Sequence, residues 1–207
     1  MNGRPRRGDP AADVERQRIC QEAARILAEE GVRDYQAAKR RAAERLNLPQ
    51  AHSLPSNPEI EAALIQYLEL FHARDLPARR ARLRRLAIDA MQFLSRFEPR
   101  LVGAVLNGAV TVHSPVELHL AADTPEEVGL VLDEHLIPYE QYERRLRFGG
   151  DREVRLPGYR FTADGTIVEA LVLTPTQARS APLSPVDGRP MRRANPREVQ
   201  QLLEAGD

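Results

Sequence analysis

The chain has 207 residues, with 30 Lys+Arg balanced by 30 Asp+Glu, 42% apolar and 29% charged residues. This composition fits a soluble globular protein rather than a disordered one. The charge balance excludes a global pull toward nucleic acid or an acidic membrane, and no apolar run approaches the roughly 18 residues of a membrane helix.

Residues 1–10 read as a disordered leader without the apolar stretch of a secretory signal, so the expected compartment is the cytoplasm. Residues 11–98 read as a helical region of about four helices. In the first, Ile19, Ala23, Ile26 and Leu27 share a face, and Gly31 is a natural stop. Asp34 caps a second, with Tyr35, Ala38, Ala42 and Leu46 on one side. Asn57-Pro58 reads as the start of a third, with the stripe Ile60, Leu64, Tyr67, Leu68 and Phe71. A fourth is expected from about Pro77 to Phe97, with Leu83, Leu86, Ala90, Met91, Leu94 and Phe97 inward and Pro99 ending it.

The pattern changes near Arg100. Residues 99–181 read as an α+β domain with strands at Arg100–Leu106 and Val116–Leu120, and a helix begun by Thr124-Pro125-Glu126-Glu127. A strand follows from Ile137 to Phe148, a turn at Gly149-Gly150-Asp151, and a hairpin of Glu153–Phe161 and Thr166–Leu173 around Ala163-Asp164-Gly165. Residues 182–207 form a loop-rich tail with a short helix after Asn195-Pro196. The two parts are expected to pack together, since no flexible linker divides them.

One segment carries most of the functional signal. Val102-Gly103-Ala104 is followed after ten residues by Pro115-Val116-Glu117-Leu118. This resembles the signature of the nucleotidyltransferase superfamily, the polymerase-beta-like enzymes. That signature is an apolar-Gly-Ser or apolar-Gly-Gly turn, about ten residues, then two acids flanking one apolar residue on a strand. The order helix, Gly turn, acid-bearing strand, helix and further strands is similar too. The resemblance implies a mixed sheet with flanking helices and NMP transfer from an NTP with Mg²⁺. Hard cations want carboxylates, and acids two apart on a strand project to one face.

The sequence departs from that pattern twice: Ala104 has no hydroxyl, and Pro115 has no carboxylate. Glu117 holds the second acid position, and alternation places His119 on its face, a softer ligand than Mg²⁺ prefers. Glu169, alone in the apolar run Ile167–Leu173, needs a charged partner or a metal and is the candidate third acid. The implied catalytic residues are Glu117 and Glu169, and the implied metal ligands are Glu117, His119 and Glu169. Gly103, Ala104 and Gly108 are the implied nucleotide contacts. The chain thus resembles a degenerate, bacterial member, a pseudoenzyme whose catalysis is weakened or lost and which retains nucleotide or RNA binding. The alternative is a non-catalytic module that docks a protein partner through its helical half.

Other features weigh less. Lys39 is the only lysine, and so arginine-rich a chain reflects GC-rich coding. The run Arg79, Arg80, Arg82, Arg84 and Arg85 fits an RNA backbone. Solvent exposure, or pairing with the eight acids between Val116 and Glu143, is the favoured reading of that run. His113 and Ser114 lack a nearby acid for a hydrolase triad, and Cys20 reads as a buried structural thiol. Arg189, Arg192 and Arg193 in the tail fit either a strap over a phosphate-bearing ligand or a plain surface segment. No P-loop, dinucleotide glycine fingerprint or His-Glu-x-x-His motif occurs.

Overall fold

A computed structural model describes residues 10–48, 54–149 and 153–206. Nearly all of the expected leader, and Gly150 and Asp151 of the expected turn, lie outside them. The fold is α+β, with helices preceding a mixed sheet. Among the described residues no helix is long and apolar enough to cross a membrane.

The chain divides into two compact units, Met1–His72 with Thr111–His113, and Ala73–Val110 with Ser114–Asp207. The first holds α1 (Pro10–Glu29), α2 (Tyr35–Arg45) and α3 (Asn57–Phe71). Its core uses the expected stripes: Ile19, Ala23, Ile26 and Leu27 of α1, Ala38 and Ala42 of α2, and Ile60, Leu64 and Leu68 of α3 are buried. Asp34 caps α2 by accepting the Ala37 N–H at 2.6 Å. The cap of α3 is Ser56 rather than Asn57, because Glu59 folds back to accept both the Ser56 N–H and its hydroxyl, at 2.7 and 2.6 Å. Phe71 is 64% exposed, against expectation: its neighbour Leu70 is also exposed, and α3 ends there. Cys20 is half-buried rather than buried. His113 lies over Gly31, and its Nε2–H donates to the Glu29 carbonyl at 3.0 Å, satisfying the open end of α1.

The second unit starts one helix earlier than the sequence pattern suggests. It comprises α4 (Leu76–Phe93), β1 (Arg100–Val102), α5 (Gly103–Asn107), β2 (Val116–Ala121), α6 (Glu126–Glu134), β3 (Tyr139–Arg147), β4 (Glu153–Ala163), β5 (Thr166–Leu173), α7 (Pro175–Arg179) and α8 (Pro196–Ala205). α4 belongs here because Leu83, Leu86, Ala90 and Met91 pack toward α5, α8 and the strands β1 and β2. The expected strand at Arg100–Leu106 stops at Val102, because Gly103 takes φ +72° and turns the chain into α5.

The sheet order is β1-β2-β5-β4-β3. β2 and β5 run parallel, and the other pairings are antiparallel. One face is apolar: Leu118, Leu120, Val168, Ala170 and Val172 are buried there. The opposite face carries Arg100, His119, Glu117, Glu169, Arg160, Tyr142 and Arg144, as the register requires. The tail reaches both sheet edges. The Leu183 N–H donates to the Arg147 carbonyl at 2.6 Å, and Ala194 pairs with Leu101 through bonds of 2.8 and 3.0 Å.

Asp164 and Gly165 close the β4–β5 hairpin with φ of +47° and +66°, the two-residue turn whose twist matches its strands. Gly165→Ala puts a side chain where φ disfavours it. It should lower the unfolding free energy by about 1 kcal/mol, read by urea denaturation; an unchanged midpoint would contradict this assignment of the turn.

Candidate functional site

The polar face is organised around Glu169. Its strand is apolar on both sides, and the side chain is only 1% exposed. A carboxylate so placed requires cationic partners. Parallel pairing sets Glu117 directly beside it on β2, and antiparallel pairing sets Arg160 beside it on β4. Arg144 reaches over from β3. Its Nη1–H donates to Glu117 Oε1 at 2.6 Å and its Nη2–H to Glu169 Oε2 at 2.7 Å. Arg160 donates to Glu169 Oε1 from Nη2 at 3.0 Å and from Nε at 3.2 Å. Charge-assisted bonds of this kind are the strong ones.

Tyr142 completes the cluster. Its ring covers Gly158, where an added Cβ would lie 2.6 Å from the ring, and the Arg160 guanidinium sits 5.1 Å from the ring centroid. Burial pushes the Tyr142 hydroxyl up to about 12. Among the described residues that hydroxyl has no hydrogen-bond partner.

The expected site residues come together in part. Glu117 and Glu169 are neighbours bridged by one guanidinium. Gly103 abuts Glu117: an added Cβ would stand 2.0 Å from Glu117 Oε2. The turn and the acid are therefore adjacent, as the resemblance implies, but the carboxylate fills the space against the glycine. Pro115, where the resemblance would place the first acid, is buried, and Ala104 is half-buried in α5. Gly108 ends α5 with φ +86°, and its carbonyl accepts the Arg80 Nε–H at 2.7 Å.

His119 shares the face of Glu117 but takes no part in the carboxylate cluster. It lines a separate cleft with Arg100 and Arg193. Burial, then the charges of Arg193 and Arg144, holds its imidazole at about 3, so the ring is neutral at pH 7.

The donor set does not fit the Mg²⁺ ions that the resemblance implies. The facing oxygens of Glu117 and Glu169 are committed to Arg144 and Arg160, and among the described residues no group of three or more His, Cys, Asp and Glu could hold a metal. The expected ligand set of Glu117, His119 and Glu169 is thus not assembled as one.

The arginine run on α4 is largely used within its own unit. Arg80 bonds to Gly108, Arg82 to the carbonyl and carboxylate of Asp164 at 2.6 and 3.0 Å, and Arg84 to the carbonyls of Val105 and Leu202 at 3.4 and 3.0 Å. These acceptors lie outside the acidic stretch Val116–Glu143, which corrects the pairing expected for the run.

Arg144, Arg160 and Tyr142 are residues of this cluster that the sequence pattern does not single out. The signal for them was the lone acid in β5, which demanded a charged partner. Comparison with known proteins finds no family model, curated protein or solved structure that matches this chain.

Removing one partner of a buried ion pair is far costlier than the pair's net worth, about 3–5 kcal/mol. Arg144→Ala should lose that much in urea unfolding. Arg144→Lys should recover only part, because an ammonium cannot supply the same two-pronged bridge. Equal stability of Arg144→Ala and the parent chain would show the bridge to be idle.

The neutral His119 gives a second expectation. Its ordinary value is 6.5, and in the fold it lies near 3. Between these values the unfolded chain binds a proton that the folded chain refuses, so His119 favours the fold fully above pH 6.5 and progressively less as pH falls. The slope is at most about 1.4 kcal/mol per pH unit. His119→Asn should flatten stability between pH 6.5 and 4.5, measured by denaturation at each pH; an unchanged slope would refute it.

Proposed function

We propose that this protein is a nucleotidyltransferase-like protein that has given up metal-dependent transfer, with the Arg144 guanidinium standing between two acids where that superfamily places divalent cations. One observation carries the reading: the guanidinium bridges Glu117 and Glu169 at 2.6 and 2.7 Å. Two further features support it. The order helix, short strand, glycine turn, acid-bearing strand and helix runs through α4, β1, Gly103, β2 and α6. The second acid stands on the strand parallel to β2, opposite Glu117.

The chemistry of the exchange is direct. A guanidinium supplies the positive charge that two adjacent carboxylates need, in a fixed planar fork. It has no coordination positions to offer a triphosphate, and together with Arg160 it occupies Glu117 Oε1 and both Glu169 oxygens. The network serves as a structural clamp joining β2, β5, β4 and β3.

The test is pyrophosphate release from ATP, GTP, CTP and UTP with MgCl₂. Release should stay at the buffer background. Mg²⁺-dependent release that falls in Glu117→Gln and in Glu169→Gln would overturn the reading.

A second reading, a protein-docking role for the helical unit, is favoured by one observation. Leu70 and Phe71 stand 74% and 64% exposed at the end of α3, an unusual place for two adjacent large apolar side chains.

A further inference from the structure

Beyond the carboxylate cluster, at the β1 end of the same sheet face, Arg100 stands opposite His119 across the ladder. Both line a cleft of about 590 Å³ that also takes in Arg96, Glu98, Arg179 and Arg193. This size lies within the range of small-molecule sites. Four guanidiniums meet two carboxylates there, those of Glu98 and Glu198. Glu198 is already engaged, accepting the Asn195 N–H at 2.6 Å at the start of α8.

The arginines are poorly neutralised. Arg96, Arg100 and Arg179 have no ion pair among the described residues. Arg193 spends one Nη1–H on the Ala178 carbonyl at 2.8 Å, and burial together with the nearby charge of Arg100 disfavours its own charge. Two guanidiniums that repel in a partly buried cleft call for an anion, and their planar forks match phosphate and carboxylate oxygens.

An independent observation points the same way. His119 is 5% exposed and lines the cleft, yet neither ring nitrogen has a hydrogen-bond partner among the described residues. Buried polar atoms are rarely left so. The ring therefore holds unspent hydrogen-bonding capacity beside the unpaired arginines.

We infer that this cleft binds a phosphorylated small molecule, its phosphate held by Arg100 and Arg193 beside His119 and its organic body resting on Pro175 and Ala178. A phosphate monoester carries about −1.5 to −2 near pH 7 and three acceptor oxygens, enough for two facing guanidiniums where a monocarboxylate is not. The apolar wall from α7 and the cleft volume exceed what a bare phosphate ion would fill. The inference is independent of any nucleotidyltransferase relationship.

The experiment titrates the full chain, at fixed ionic strength in chloride, with AMP, ribose 5-phosphate, glycerol 3-phosphate, phosphoserine, inorganic phosphate and acetate. Binding is read by calorimetry and by the NMR signals of the five histidine rings, with His119 assigned through His119→Asn. At least one phosphomonoester should bind saturably and shift the His119 signals. Its affinity should fall at least tenfold in Arg100→Gln and in Arg193→Gln, and stay unchanged in Arg85→Gln.

If no phosphomonoester moves the His119 signals, the inference fails. It fails equally if acetate or inorganic phosphate binds as tightly as the best ester, or if the arginine variants, folded by circular dichroism, keep full affinity. Should those variants not fold, the His119 signals of the unsubstituted chain decide the matter alone.

Discussion

A carboxylate buried in the middle of an apolar strand is what the second unit is built around. Glu169 is almost wholly withdrawn from water, in a parallel pair whose other face is packed with Val168, Ala170 and Val172. Desolvating such a group is expensive unless cations and hydrogen bonds replace the lost water. Arg160 from the neighbouring strand and Arg144 from the strand beyond supply them. Arg144 then reaches on to Glu117, so one guanidinium couples the outermost strand to the middle of the sheet. Two guanidiniums offset the two inner carboxylates, and Arg160 also pairs at 3.6 Å with the exposed Glu140 at the cluster's edge.

The same sheet face thus carries two zones of opposite character. At Glu117 and Glu169 the charges are matched and the space is filled, down to the glycine that leaves room for a carboxylate oxygen. Two ladder positions further along β1 and β2, at Arg100 and His119, the face opens into a cleft. There the positive groups outnumber the negative ones, and an imidazole goes without partners. The zones differ because β3 and β4 bring arginines over the acids, whereas α7 and the tail bring Arg179 and Arg193 over a strand edge already lined by Arg100. The first zone needs nothing from outside; the second has binding capacity left over.

Much of this was legible from residue patterns. The helical stripe of α1, the cap at Asp34 and the hairpin at Asp164-Gly165 follow from periodicity and turn chemistry; the stripe expected for the fourth helix is buried too, but α4 ends at Phe93, earlier than its spacing predicts, and leaves Leu94 and Phe97 beyond it. The pairing of Glu117 with Glu169 was within reach because each stood out against an apolar strand. Their partners were not, since alternation says which face Arg144 and Arg160 occupy but not which strands lie side by side. Ladder order is a tertiary fact: β5 inserts between β2 and β4 although the chain makes β3 and β4 first. The strand expected over Arg100–Leu106 stops at Val102 for a local reason. Val105 and Leu106 are apolar and buried, which suits a strand or a short helix, and only the φ of Gly103 decides. Phe71 fits its stripe by spacing yet falls on the last turn of α3, where the helix ends before the core can cover it.

The pairing of Leu101 with Ala194 has a consequence for how the molecule comes into being. β1 is only three residues long, and its outer edge is completed by a segment from the far end of the chain. A growing polypeptide emerging from the ribosome presents β1 long before Ala194 exists to cover it. Contacts so distant in sequence delay folding, because the chain entropy of closing the loop must be overcome before the contact repays it. Closure of this edge therefore waits on a contact between residues far apart in sequence, and until it forms the outer flank of β1 presents unpaired backbone groups.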